Sequence, residues 1–187
     1  MLNRAFQIAF RGTVESRDLA IPLLKNPADT VLVERGVPRL LMMRCPCGCG
    51  DDLLVNLDRR VGPAWRIYRS VNSLTLFPSY WRDGGCESHF ILWGNKVYWC
   101  HGDNDEEAGH EWKVPREMEA SVLASLPPSD FIKYDELADQ LNLIPWDVLQ
   151  ACQQLSRRGA AMAGSGKQRG YFRKAPKLLE PSRERSV

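Results

Sequence analysis

Three cysteines alternate with proline and glycine in Cys45-Pro46-Cys47-Gly48-Cys49-Gly50, and a fourth follows in Gly85-Cys86-Glu87-Ser88-His89-Phe90. Proline and glycine build turns rather than core, and glycine accepts positive φ, so several sulfurs can be turned onto one point. Converging thiolates bind a soft metal, most often zinc, or pair as disulfides. Cys45, Cys47, Cys49 and Cys86 supply the four thiolates of a closed structural zinc site, with His89 a substitute for one of them. Ligands one residue apart strain the turn that carries them, so one of the three clustered cysteines is expected to be a spectator. No open set of carboxylates and histidines accompanies the sulfurs, so Zn2+ is expected to hold the fold rather than to catalyse. Cys100-His101 is a second candidate pair, read as a strand-end cysteine beside an exposed histidine, and His110 is read as exposed.

A second kind of chemistry rests on Ser79 and His89. Pro78 restrains the backbone before Ser79, and a metal on Cys86 would fix the backbone of His89 three residues later. A serine nucleophile needs a base within hydrogen-bond reach and a third group to orient that base. Spacing alone does not bring Ser79 and His89 together, and a capping serine beside a ligand or structural histidine is the plainer reading. Ser73 and Ser88 compete for the serine role, although Ser88 adjoins His89 on an expected strand and would face the other way. Glu34, Asp51, Asp52 and Asp83 could each orient the histidine.

The elements that must position these groups change character along the 187 residues. The first half reads as strands at Thr30–Glu34, Pro38–Arg44, Leu53–Leu57, Trp65–Tyr68 and Ser73–Phe77. Phe90–Trp93 and Lys96–Trp99 flank Gly94-Asn95, a two-residue hairpin signal. Together they predict a compact sheet or small barrel stapled by the metal. Asp103–Gly109 is polar and acidic and reads as a linker. The second half predicts helices over Arg116–Leu126, stopped by Pro127-Pro128, over Asp135–Leu141, and over Trp146–Arg158 behind Pro145. The short stretch Phe131–Tyr134 and a hairpin through Ala160–Ala163 and Gly170–Arg173 complete a winged-helix order. The fold class expected is therefore α+β. A zinc-binding β-rich domain spans 1–114, a winged-helix domain 115–175, and a basic, disordered tail 176–187.

The formal net charge of +2 excludes little, but its placement is uneven. Residues 1–114 balance, and towards the end Arg157, Arg158, Lys167, Arg169, Arg173, Lys174, Lys177, Arg183 and Arg185 face only Glu180 and Glu184. Such a block meets nucleic acid, an acidic protein or only solvent. DNA binding would use the helix from Trp146, with Gln150, Gln153, Gln154 and Arg157 in a groove and Lys167 and Arg169 on phosphates. Winged helices also serve as protein-docking modules, and the DNA use is not the favoured one. No membrane-spanning run and no signal peptide is found, so a cytoplasmic protein with reduced thiols is expected.

Val33-Glu34-Arg35-Gly36-Val37-Pro38-Arg39, the Cys45–Gly50 turn, Ser73-Leu74, Pro78-Ser79-Tyr80-Trp81-Arg82-Asp83, Gly85–Phe90 and Trp99-Cys100 resemble a bacterial family long described only as a domain of unknown function. Its members are encoded beside ubiquitin-like modifiers and E1- and E2-like enzymes in conjugation operons linked to phage defence. The resemblance covers roughly residues 28–102, and the Pro145-Trp146-Asp147-Val148 helix is similar to a C-terminal extension of some members. It implies a serine-type protease that trims or removes the modifier on a structural zinc. Carried over, it makes Ser79 the nucleophile, His89 the base, and Cys45, Cys47, Cys49 and Cys86 the zinc ligands. Its implied partners are the ubiquitin-like protein, its conjugates and the E1- and E2-like enzymes. A non-catalytic zinc-binding adaptor, or a DNA-binding regulator, is the alternative.

Overall fold

Glycine-bearing turns separate short runs of β-branched and alternating residues in the first half, and those runs form strands. The computed structural model describes residues 4–100 and 114–176. Two compact units divide the chain, Met1–His110 and Glu111–Val187. In chain order the first holds β1 (Ala9–Val14), α1 (Arg17–Ala20), β2 (Asp29–Arg35), β3 (Val37–Arg44), β4 (Asp52–Asn56), β5 (Arg66–Ser70) and β6 (Ser73–Phe77). It continues with β7 (Tyr80–Trp81), β8 (His89–Trp93) and β9 (Lys96–Trp99).

These strands do not make the one sheet or barrel expected. They divide into sheets ordered β1-β2-β3-β4, β5-β6 and β7-β8-β9. The Gly94-Asn95 turn gives the reason. Asn95 donates its N–H to the Leu74 carbonyl at 2.9 Å, and its side-chain carbonyl accepts from the Leu74 N–H at 2.8 Å. Gly94 N–H donates to Thr75 Oγ1 at 2.9 Å. The tip of the β8–β9 hairpin therefore occupies backbone groups of β6 that a continuing ladder would need. Leu32, Leu41, Leu53, Val55, Leu74, Leu76, Phe90, Leu92 and Val97 form the core, and Cys45 and Cys47 are buried in it. Ala20, Leu24, Val31, Val33 and Met42 pack as a second cluster, so β2 is buried along most of its length.

The second unit contains α2 (Arg116–Ser125), β10 (Ile132–Lys133), α3 (Tyr134–Leu141), α4 (Pro145–Arg157), β11 (Ala161–Ala163) and β12 (Tyr171–Lys174). Its sheet is ordered β10-β12-β11. Pro145 opens α4, where a missing N–H costs nothing, and Asn142 closes α3 in the left-handed region at φ 52. Val122, Leu126, Leu137, Val148, Cys152, Leu155 and Phe172 make its core, joined by Val114. The architecture is thus mixed α+β, with several sheets in the first unit and helices and a hairpin in the second. Among the described residues no helix is long and apolar enough to cross a membrane. The expected linker 103–109, His101, His110 and the tail from Lys177 onward lie outside the described residues.

Candidate active site and metal centre

The pleat of one hairpin separates two groups of side chains. Tyr80 pairs with Phe90 and Trp81 with His89, so the loop from Arg82 to Ser88, which carries Cys86, closes β7 against β8. Side chains alternate between faces along each strand. Tyr80, Phe90 and Ser88 turn inward, where the Tyr80 and Phe90 ring centroids are 5.6 Å apart. Ser79, Trp81 and His89 share the other face, where the Trp81 and His89 rings lie 6.0 Å apart.

On the inward side the cysteine turn meets the hairpin loop. The Sγ atoms of Cys45, Cys47, Cys49 and Cys86 all lie within 4.8 Å of one another. Cys45 Sγ is 3.3 Å from Cys47 Sγ and 3.7 Å from Cys86 Sγ. Gly48 at φ 85 and Gly50 at φ 88 make this convergence affordable to the backbone. No spectator is evident, because all three clustered sulfurs reach the same point. No disulfide joins the described cysteines. Tetrahedral zinc with Zn–S of about 2.3 Å spaces its sulfurs roughly 3.8 Å apart, so the donor set and its spacing fit the ion.

The charges around the sulfurs fit a cation too. Burial pushes the Cys45 thiol well up and holds Cys49 at about 11. Burial also works against ionising Cys86, but hydrogen bonds from the Ser88 hydroxyl and backbone bring it down to about 6. Four crowded thiols cannot all ionise on their own, whereas a divalent ion would draw off their protons. Ser88 Oγ stands 3.1 Å from Cys86 Sγ and 3.5 Å from Cys45 Sγ. The Arg82 guanidinium lies 3.9 Å from both Cys49 and Cys86 Sγ and is anchored on Asp51 at 2.5 Å. Arg44 donates to the Gly50 carbonyl and holds the far end of the cysteine turn.

On the other face Ser79 Oγ is 3.2 Å from His89 Nε2, and both residues are half-buried. His89 is therefore placed against the serine and outside the four-sulfur group. The Trp65 indole N–H donates to the Ser79 carbonyl at 3.3 Å and ties the serine to the segment before β5. Ser88 faces the sulfurs, as alternation predicts, and Ser73 starts β6 at the end away from Ser79. Of the acids considered as orienting groups, Glu34 pairs with Arg69 at 2.8 Å, Asp51 with Arg82, and Asp52 with Arg44 at 3.2 Å. Arg82 and Ser88 as neighbours of the sulfurs, and Trp81 beside His89, were not singled out from the sequence. For Ser88 the signal was alternation along the strand from His89, which turns it away from that histidine, whereas Arg82 and Trp81 owe their places to pairing with β8 and left none.

Comparison with known families bears on the same stretch. Residues 19–100 match the family model of BubE, described as a bacterial ubiquitination-like system serine protease. The match to BubE starts within α1 and ends at Cys100, so it contains Ser79, His89 and all four clustered cysteines. The second unit lies outside the region similar to BubE. No curated protein and no solved structure matches the chain.

Proposed function

We propose that the chain is a serine peptidase that processes or removes a bacterial ubiquitin-like protein, with Ser79 as nucleophile and His89 as general base. The observation that carries this reading is the 3.2 Å approach of Ser79 Oγ to His89 Nε2 within a stretch similar to a serine protease family. Ser79 donates its hydroxyl proton to His89 Nε2 as Oγ attacks a peptide carbonyl carbon at the modifier's C-terminus. Collapse of the tetrahedral adduct breaks the C–N bond, and His89 returns the proton to the leaving amine. Water then attacks the ester, His89 takes its proton, and Ser79 recovers its hydrogen as the acid departs. Backbone N–H groups stabilise the oxyanion, and Pro78 cannot be one of them because it has none.

Cys45, Cys47, Cys49 and Cys86 would hold Zn2+, which supplies a cross-link between the cysteine turn and the hairpin loop rather than a reactive centre. The loop it closes joins the strand after Ser79 to the strand that begins with His89, so the link bears on the register of both. We read the second unit as a winged helix that docks the modifier, its conjugate or an E1- or E2-like enzyme. Its helix, strand, helix, helix, hairpin order supports this. So does a 540 Å³ cleft whose lining includes Leu149, Gln153, Arg157, Arg169 and Phe172. We place the protein in the cytoplasm, where cysteines stay reduced and a four-cysteine cluster serves as a metal site.

A fluorophosphonate tests the nucleophile without any protein substrate. Ser79 Oγ should displace fluoride at phosphorus, giving one adduct by intact mass that maps to Ser79. Ser79→Ala should abolish it, and His89→Ala should slow it by at least about a hundredfold. No adduct would move the reading to a non-catalytic adaptor, and an adduct on another serine would remove Ser79 from the mechanism.

A further inference from the structure

The backbone next to Ser79 is arranged to receive another strand. Antiparallel pairs alternate between those that exchange hydrogen bonds and those that do not. Arg82 N–H donates to the Ser88 carbonyl at 2.9 Å, so Arg82 and Ser88 are a bonded pair. Trp81 and His89, the next pair along, are then a non-bonded one. The neighbouring ladder agrees, because the His89 carbonyl accepts from Cys100 N–H at 2.9 Å and so points to the β9 side. The N–H and C=O of Trp81 consequently point away from β8.

They point to the open side of the sheet, since β7 is the terminal strand in the order β7-β8-β9. Among the described residues no backbone group meets Trp81 on that side. A peptide N–H and C=O displayed side by side on an edge form the template for β-augmentation. The side chain adds a second feature. Trp81 is 65% exposed although it is among the largest apolar groups in the chain, and its ring lies beside that of His89. Exposed tryptophan in such a place is a typical anchor for a bound segment. A two-residue strand is also too short to invite long edge-to-edge pairing, so it suits a short tail better than a second copy.

We propose that the outer edge of β7 is the substrate rail. An extended C-terminal segment of the modifier adds antiparallel to β7, one of its residues exchanges both backbone hydrogen bonds with Trp81, and the indole packs over the segment beside His89. This rests on the peptidase reading and deepens it. The rail recognises extended backbone, so the modifier's tail must be unfolded where it binds. A proline or N-methyl group at the residue opposite Trp81 removes a donor the rail requires.

The test separates binding from chemistry by using Ser79→Ala protein. Amide exchange at Trp81 is followed with the ubiquitin-like protein added intact or with its C-terminal tail deleted. The intact modifier should slow Trp81 exchange at least about tenfold and the tail-less form should leave it unchanged. In the active protein Trp81→Ala should lower kcat/KM about tenfold or more, with Trp81→Phe recovering most of it. An N-methyl scan of a tail peptide should find one sensitive residue. Protection without cleavage by the active protein would uphold the rail and overturn the peptidase reading. Cleavage with an unprotected Trp81 amide would overturn the rail and leave that reading standing. Neither protection nor cleavage would overturn both. Protection of Trp81 before any substrate is added, accompanied by a dimer, would overturn the rail in favour of self-pairing.

Discussion

The two units use cysteine in opposite ways. In the first unit four cysteines sit on turns and a hairpin loop, and their sulfurs crowd to within 4.8 Å of one another. In the second, Cys152 lies on the inward face of α4 among Val122, Leu137 and Leu155, where burial pushes its thiol up to about 12. One arrangement concentrates polarisable donors on a turn that its own backbone bonds close, Cys45 N–H to the Asp51 carbonyl at 2.7 Å and Gly48 N–H to the Cys45 carbonyl at 3.1 Å. The other uses the thiol as a small apolar filler. The same contrast runs through the packing. The second unit is held by amphipathic helices, whereas the first packs short strands of three sheets on shared cores and adds point ties at their ends. Among those ties the sulfur cluster bears most directly on the candidate reaction, because it grips the loop between Ser79 and His89.

Substituting one cysteine from each unit gives the largest effect. Cys86→Ser should forfeit bound zinc and unfold the first unit, since metal binding reaches roughly 10 kcal/mol in zinc-finger peptides. Cys152→Ala should leave zinc content unchanged and cost about 1 kcal/mol in the second unit's melt. Metal analysis and denaturation of both variants would check this. Equal zinc in wild type and Cys86→Ser would break the comparison.

A smaller effect sharpens the idea that point ties help to hold the first unit. Asp29 is buried, and its carboxylate accepts from Arg11 at 2.7 Å and from the N–H groups of Lys25 and Asn26 at 2.9 and 2.8 Å. Burial alone would raise its pKa, but the Asn26 and Lys25 backbone bonds and Arg11 together hold it below 3.8. A depressed carboxylate stabilises the fold above its unfolded pKa, and that contribution fades as pH falls through the folded value. Asp29→Asn should therefore cost about 1 kcal/mol at pH 7. The gap to wild type should shrink on acidification below pH 3.8. Melts across that range would show it, and a gap that widens in acid would contradict it.

Legibility in the sequence followed the same division. The second unit's helices were readable from apolar spacing and from Pro145, Pro127 and Pro128, because helical periodicity is local. In the first unit the strands from β2 to β6 and the β8–β9 hairpin were readable, but β1 was not. Its pairing with β2 is parallel and joins Ala9 to Asp29 across α1, its Phe10 is 43% exposed, and Gly12 interrupts it at a bulge. A two-residue strand such as β7 leaves no periodic trace. The cysteines announced themselves by type and spacing. Ser79 and His89 did not, since their approach depends on hairpin register rather than on sequence distance, and the family resemblance supplied what spacing could not. All three clustered sulfurs reach the same point, and the positive φ of Gly48 and Gly50 relieves the strain that argued for a spectator among them.

The most direct test of the account is cleavage of a bacterial ubiquitin-like protein by wild type, Ser79→Ala and His89→Ala, read by intact mass with zinc measured on the same samples. Wild type alone should process the modifier's C-terminus, with a loss of at least about a thousandfold in both variants and unchanged zinc in all three. Processing retained by Ser79→Ala, or zinc lost from His89→Ala, would contradict it.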